Sequence, residues 1–340
     1  MYVLGRPADA GGPAARLGCY RAADGSAGAA VGLDLDRPHA ALVVGKRGTG
    51  KTHTLGVVAE AAADAAGVAP VVVDPIGSLG GLAALGTVQT PSVRADAVPP
   101  REWPGLVGLD PTGGPGSLVW RAASARATLD GMAAHVDGSD GAPVPRRAAT
   151  NALRLAASWD VFDPAGLDAA ALASPGATVL DCADLPDAAA RAVVAAVART
   201  LYDARVTDRV ARLPWLLVDE AHAFLDGGAA DAALRTLLTR GRAPGVSLVA
   251  ATQRPGALPS VARSQADLLV AHRLTAEPDV AALAAATPTY LDGTLRERLP
   301  RATGVAVVVD DATESVHAVR VRERETPDRG ASPRASRRNG

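Results

Sequence analysis

Lysine is nearly missing from this 340-residue chain: Lys46 and Lys51 are its only lysines, and every other cationic side chain is arginine or histidine. Aromatic residues make up only 3%, so a core has to be packed mainly from leucine, valine and alanine within a hydrophobic content of 48%. The two cysteines, Cys19 and Cys182, are far apart and form no C-x-x-C pair, which excludes a disulfide framework and a cysteine-rich zinc site. Both read as small core residues. The net charge of −1 excludes a uniformly basic nucleic-acid binder, so any DNA-binding face has to be local. No basic segment followed by an apolar stretch marks a signal peptide, and no run reaches membrane-spanning length. The alanine-rich run near Val57–Val73 is interrupted by Glu60 and Asp64. The expectation is a soluble, cytoplasmic protein.

Both lysines fall in one stretch, Gly45–Lys46–Arg47–Gly48–Thr49–Gly50–Lys51–Thr52, which fits the phosphate-binding pattern G-x-x-x-x-G-K-[ST]. Ala41–Val44 before it reads as a buried strand, and Thr52 to about Ala66 reads as a helix. A loop there meets free N–H groups at a helix N-terminus, which favour an anion. Lys51 would place its charge on the β- and γ-phosphates, and Thr52 would offer its hydroxyl to Mg²⁺. Gly45, Lys46, Arg47, Gly48, Thr49, Gly50, Lys51, Thr52 and His53 are therefore the expected nucleotide contacts. The guanine-reading motif N/T-K-x-D cannot occur without a further lysine, which favours ATP over GTP. No LSGGQ-like signature of a transporter ATPase is present.

Upstream, Tyr2–Leu4, Leu17–Arg21 and Ala30–Leu35 are short β-like runs, so residues 1–38 form a small β-rich element. Downstream, Val71–Val73 reads as a strand ending in Asp74, a carboxylate equally well placed for ligand chemistry or for a turn. Residues 76–116 are rich in glycine and proline, with weak strand signals at Val88–Thr90 and Leu106–Leu109. Ser117–Val136 reads as one helix and Pro145–Ser158 as another, with Trp120 and Trp159 as packing residues. Ala177–Asp181 is a strand, and a long helix runs to about Val206.

Pro214–Val218 followed by Asp219–Glu220 is a Walker B strand. Asp219 would hold Mg²⁺ through water, and Glu220 would polarise the attacking water as general base. Val246–Ala251 is the next strand, ending in Thr252–Gln253, a polar pair suited to sensing the γ-phosphate. Asp267–Ala271, Val305–Val309 and Val316–Val321 complete the strands. Residues 39–322 thus form the ATPase domain, and 323–340 an arginine-rich disordered tail. Strands alternating with helices give an α/β fold, RecA-like because the Walker B strand is separate from the P-loop strand.

GKRGTGKT, VVVDP, GATVLDCADL, LLVDEAH, RGRAPGVSLVAATQRP and SQADLLVAHRL, in that order, resemble the HerA branch of the HerA/FtsK superfamily of hexameric DNA-pumping ATPases. The resemblance implies a catalytic Glu220, a metal-assisting Asp219, a sensor Gln253, a supporting carboxylate at Asp74 and an arginine finger at Arg242. Arg37 resembles an arginine inserted by a neighbouring subunit, with Arg240 and Arg273 as second choices for the finger. It implies ATP and Mg²⁺ as ligands, a homo-oligomeric ring, double-stranded DNA as substrate and a nuclease as partner, with no membrane involvement. The chain departs from the family in its short N-terminal element and in Pro75–Ile76–Gly77–Ser78–Leu79, where acidic and aromatic residues are usual. A second reading is an ATP-dependent switch or assembly scaffold that binds ATP without moving DNA.

Overall fold

The computed structural model describes residues 1–22, 24–140, 142–285, 290 and 294–327. Its strands are β1 (Tyr2–Leu4), β2 (Ala14–Arg21), β3 (Ala27–Asp34), β4 (Ala40–Val44), β5 (Val68–Asp74), β6 (Gly86–Gln89), β7 (Ala177–Asp181), β8 (Leu213–Val218), β9 (Ser247–Thr252), β10 (Leu268–Ala271), β11 (Val305–Asp310) and β12 (Ser315–Val321). They form one sheet in the order β1-β3-β2-β12-β11-β10-β4-β9-β8-β5-β7-β6. From β10 to β6 every neighbouring pair is parallel. β11, β12, β2 and β3 continue the sheet antiparallel, and β1 pairs parallel with β3. The N-terminal β element is thus an extension of the main sheet.

The central strands are unbroken apolar runs because each feeds two cores. Leu42 and Val44 of β4 enter one core, together with Val71, Val73, Leu216, Val218, Leu248 and Ala250. Ala41 and Val43 enter the other, together with Val72, Leu217, Val249 and Ala251. This is the two-residue period of a strand buried on both faces.

The helices are α1 (Lys51–Asp64), α2 (Trp103–Leu106), α3 (Gly114–Ala125), α4 (Leu129–Asp137), α5 (Pro143–Ala157), α6 (Ala169–Leu172), α7 (Asp187–Val206), α8 (Gly228–Arg240), α9 (Ser260–Ser264), α10 (Glu277–Ala284) and α11 (Leu295–Arg298). α1 belongs to the second core and touches β4, β5 and β9 as well as β2. The buried residues of α3, α4, α5, α7 and α8 line the first core. Among the described residues, no helix is long and apolar enough to cross a membrane.

Several expectations are corrected here. Leu106–Leu109 is not a strand: the chain leaves α2 in a turn in which the Leu109 amide donates to the Pro104 carbonyl at 2.8 Å. Ser117–Val136 is two helices, since Arg126 adopts an extended backbone and Thr128 caps α4 by accepting from the Gly131 amide at 3.1 Å. Trp120 is 47% exposed and is not a core residue, whereas Trp159 is buried. Cys182 is buried but Cys19, on β2, is only half-buried.

The tail expected from Glu323 is packed as far as residue 327. Glu60, fully buried in α1, accepts from the Arg322 guanidinium at 2.7 Å, the Thr326 amide at 2.9 Å, the Thr326 hydroxyl at 2.6 Å and the Glu325 amide at 3.1 Å. Pro327 lies so close to Gly81 that a Cβ there would sit 1.9 Å from the Pro327 carbonyl oxygen. The rest of the expected tail, 328–340, lies outside the described residues.

Candidate nucleotide site

β4 ends at Val44 and the chain turns into α1 at Lys51 through Gly48 (φ 76°) and Gly50 (φ 113°), left-handed conformations that favour glycine. Gly50 is the N-cap of α1 and supplies no side-chain cap, so the first-turn N–H groups face the loop without one. Lys51 is buried, and its ammonium donates to the Lys46 carbonyl at 3.2 Å. The Thr49 hydroxyl donates to the same carbonyl at 2.8 Å. Burial pulls the Lys51 pKa down, against the attraction of the Glu220 and Asp219 carboxylates.

β9 separates the P-loop strand β4 from the Walker B strand β8. The two loops nevertheless meet: the Thr52 hydroxyl donates to Asp219 Oδ2 at 2.7 Å. Asp219 is fully buried, and its other oxygen accepts from the Glu220 amide at 2.8 Å. Glu220 takes a left-handed backbone (φ 46°). For a non-glycine residue this costs about 1–3 kcal/mol and is sustained by the surrounding structure. Its Oε2 is buried without a hydrogen-bond partner. Burial, then the nearby Asp219 charge, raise the Glu220 pKa, and Lys51 opposes them. The Gln253 backbone N–H faces the same carboxylate. His222 Nδ1 lies 3.3 Å from Glu220 Oε2 and 3.2 Å from the Thr252 hydroxyl.

The residues present fit magnesium–triphosphate. Glycine-shaped backbone, uncapped amides and a buried ammonium suit the phosphates, and a carboxylate with one oxygen free of hydrogen bonds suits a water. Among the described residues no group of three or more His, Cys, Asp or Glu side chains could hold a metal. Mg²⁺ needs no such cage, because it is bound through one or two protein oxygens, water and substrate phosphates. Thr52 and Asp219 would hold it here.

Asp74 ends β5 beside the Walker B strand β8, near Asp219. Asp74 turns its carboxylate back on its own loop, accepting from the amides of Ile76 (3.2 Å), Gly77 (2.9 Å) and Leu79 (2.6 Å). It builds the Pro75–Leu79 turn, and burial, with the nearby Asp219 charge adding to it, raises its pKa. His53 Nε2–H donates to the Arg322 carbonyl at 2.8 Å, so its side chain meets the C-terminal segment and not the loop interior. Arg37 and Arg242 sit where strands begin, at the edge opposite the P-loop: Arg37 precedes β4 and Arg242 precedes β9. A five-residue strand such as β4 spans about 16 Å, more than an arginine side chain covers, so neither serves the nucleotide of its own subunit. Arg240 lines a cavity of about 220 Å³ together with Tyr202, Asp203 and Thr236. Arg273, by contrast, is exposed beside the P-loop, and its carbonyl accepts from the Lys46 amide at 2.8 Å.

His222 and His272 of this site were not assigned roles from sequence. His272, fully buried at the end of β10, bonds the Val305 carbonyl through Nδ1–H at 2.9 Å and accepts from the Thr54 hydroxyl at 2.8 Å through Nε2. Burial lowers its pKa to about 4, so it is a neutral prop between β10 and α1. The sequence signal was a histidine directly after an apolar strand, in register with a threonine three residues after the P-loop lysine.

Fold and site together define a RecA-like P-loop NTPase. Residues 21–104 match the family model described as Helicase HerA-like C-terminal. Among solved structures, VirB4 of Thermoanaerobacter pseudethanolicus is similar with a TM-score of 0.71 and 18% identity, over 92% of this chain and 97% of that one. The plasmid coupling protein TrwB, solved with the non-hydrolysable GTP analogue GDPNP, is similar with a TM-score of 0.57 and 18% identity, over 86% of this chain and 87% of that one. At such identity these likenesses establish the fold. No curated protein matches the sequence. The family match is confined to residues 21–104 of this 340-residue chain.

Proposed function

We propose that this chain is an ATP-hydrolysing motor that acts on double-stranded DNA as a homo-oligomeric ring. The observation that carries the reading is the junction of Thr52 with Asp219 at 2.7 Å, beside a Glu220 carboxylate with an unpartnered buried oxygen. Lys51 and the first-turn amides of α1 hold the β- and γ-phosphates and stabilise charge as the phosphoryl group transfers. Thr52 and Asp219 would hold Mg²⁺, which would supply positive charge against the phosphates. Glu220, ionised, orients a water and accepts its proton. Gln253 reports the state of the γ-phosphate to β9. Arg242 and Arg37, out of reach of their own subunit's loop, serve the nucleotide of the adjacent subunit, which is why a ring is needed. The superfamily likeness supports DNA as the moved substrate, and a nuclease is the partner class that the resemblance implies.

Hydrolysis measured with and without linear duplex, on protein whose size is measured in the same buffer, tests the reading. DNA-stimulated ATPase activity in an oligomer is expected. The net charge of −1 favours the runner-up, an ATP-dependent switch or scaffold. A monomer with ATP, or hydrolysis indifferent to DNA, selects that alternative.

A further inference from the structure

The edge where β4, β9 and β10 begin carries a charge cluster built around a histidine that solvent barely reaches. His39 is 4% exposed and lies between two buried carboxylates, with Nδ1 2.9 Å from Asp267 Oδ2 and Nε2 3.6 Å from Asp34 Oδ2. The ring is fixed on other sides. A Cβ on Gly5 would fall 2.6 Å from His39 Cε1, and Trp215 meets the imidazole edge-on with centroids 5.8 Å apart. Each carboxylate then holds an arginine that projects outward. Asp267 Oδ2 accepts from Arg242 at 2.5 Å, and Asp34 Oδ2 accepts from Arg37 at 3.2 Å. Arg242 is 69% exposed despite that bond, so its head faces outward while its anchor is buried. Arg6 donates to Asp34 Oδ1 at 3.3 Å, and the Ala40 amide to Asp267 Oδ1 at 2.9 Å.

His39 and Arg242 share one oxygen of Asp267. A positively charged imidazole at that place keeps Asp267 ionised and prevents it from swinging outward with the arginine. With a neutral side chain at position 39, only the Ala40 amide on Oδ1 would oppose that swing, Oδ2 would be held by Arg242 alone, and Arg242 would sample more orientations.

We propose that His39 is a positioning residue: by pinning Asp267 it fixes the direction in which Arg242 is presented to the triphosphate of the adjacent subunit. The inference rests on the ring reading given above. On the other side Asp34 holds Arg37, with His39 Nε2 at the longer distance of 3.6 Å.

The test uses the full chain as an oligomer and four variants: His39→Gln, Asp267→Asn, Arg242→Ala, and the double variant His39→Gln/Arg242→Ala. Steady-state ATPase assays read kcat and KM separately, and light scattering reads oligomer size. Removing an arginine finger lowers kcat on the order of 10³-fold, and that loss is expected for Arg242→Ala. His39→Gln and Asp267→Asn are expected to lower kcat roughly tenfold with KM for magnesium–ATP unchanged, as for a misplaced transition-state contact. The double variant should be no slower than Arg242→Ala alone, because His39 acts only through that arginine. Losses that multiply in the double variant, or His39→Gln and Asp267→Asn enzymes with wild-type kcat, overturn the proposal. If His39→Gln does not fold, Asp267→Asn alone and combined with Arg242→Ala makes the same comparison. An Arg242→Ala enzyme with wild-type kcat is a different result, because it removes the ring reading of Arg242 itself.

Discussion

The Thr52 hydroxyl and Asp219 Oδ2 meet at 2.7 Å, joining the first turn of α1 to the end of β8 although β9 lies between their strands. Those two oxygens are where a divalent ion bound to a triphosphate would enter. Thr52→Ala is therefore expected to weaken nucleotide binding roughly tenfold in Mg²⁺, the scale of loss when one oxygen supporting a metal is removed. In EDTA the same variant should bind nucleotide as well as wild type, because Lys51 and the loop amides are untouched. Titration of a fluorescent ATP analogue in both buffers makes the check, and equal losses in the two would place Thr52 on the phosphates instead.

Glu220 is the group expected to titrate in turnover. A general base acts when ionised, and burial with Asp219 beside it raises the Glu220 pKa. Activity should thus fall on acidification at a higher pH than an ordinary glutamate would give. Glu220→Gln should keep magnesium–ATP binding and lose hydrolysis by about 10²-fold or more, the usual worth of a positioned base. A kcat whose acid limb falls no earlier than an ordinary glutamate would give, with a normally active Gln variant, would remove Glu220 from the mechanism.

How much of this was legible in the sequence follows from what each feature depends on. Gly45–Thr52 and Leu216–Glu220 are contiguous, and their strands are buried on both faces, so apolar runs and motif residues mark them directly. The break between α3 and α4 was hidden because Arg126 and Thr128 are ordinary residues for a helix surface, and only the Thr128 cap reveals it. Asp74 stood at the end of a strand, as catalytic carboxylates do. That its carboxylate also accepts from the amides of Ile76, Gly77 and Leu79 is something no motif encodes. The cluster of Asp34, His39, Arg242 and Asp267 was out of sight for another reason. Its members are up to 233 positions apart, from 34 to 267, and meet only because β4, β9 and β10 are neighbours in the sheet.

His39 makes stability depend on pH. Burial acts to lower its pKa, but the Asp267 and Asp34 carboxylates outweigh burial and raise it to about 9. Those carboxylates also face Arg6, Arg37 and Arg242. The folded chain therefore binds this proton more tightly than the unfolded chain does. The contribution is complete below the unfolded histidine value near pH 6.5 and is lost as pH rises through about 9. Urea unfolding of wild type and His39→Gln should show a stability gap that closes across that window. A gap of constant size from pH 6.5 to 9 would mean the imidazole carries no extra proton.

The segment 322–327 is a strap across α1, and Glu60 is its anchor. Burial of that carboxylate acts to raise its pKa, yet the Thr326 hydroxyl and amide, the Glu325 amide and Arg322 outweigh burial and hold it below the usual glutamate range. Its stabilisation is thus present above the ordinary glutamate pKa and lost as acid protonates it. Glu60→Ala strands the amides of Glu325 and Thr326 and leaves Arg322 without its buried partner, which should cost about 3 kcal/mol. Deleting residues from 322 onward should cost stability too, because it uncovers α1 and leaves Glu60 facing solvent. In that shortened chain Glu60→Ala should cost almost nothing, since water then solvates the carboxylate that the strap solvated before. Deletion from 328 onward should leave all these values unchanged. Thermal and urea melts of the five chains decide the matter. Equal losses from Glu60→Ala in the full and the shortened chain would show that Glu60 stabilises α1 by itself, without the strap.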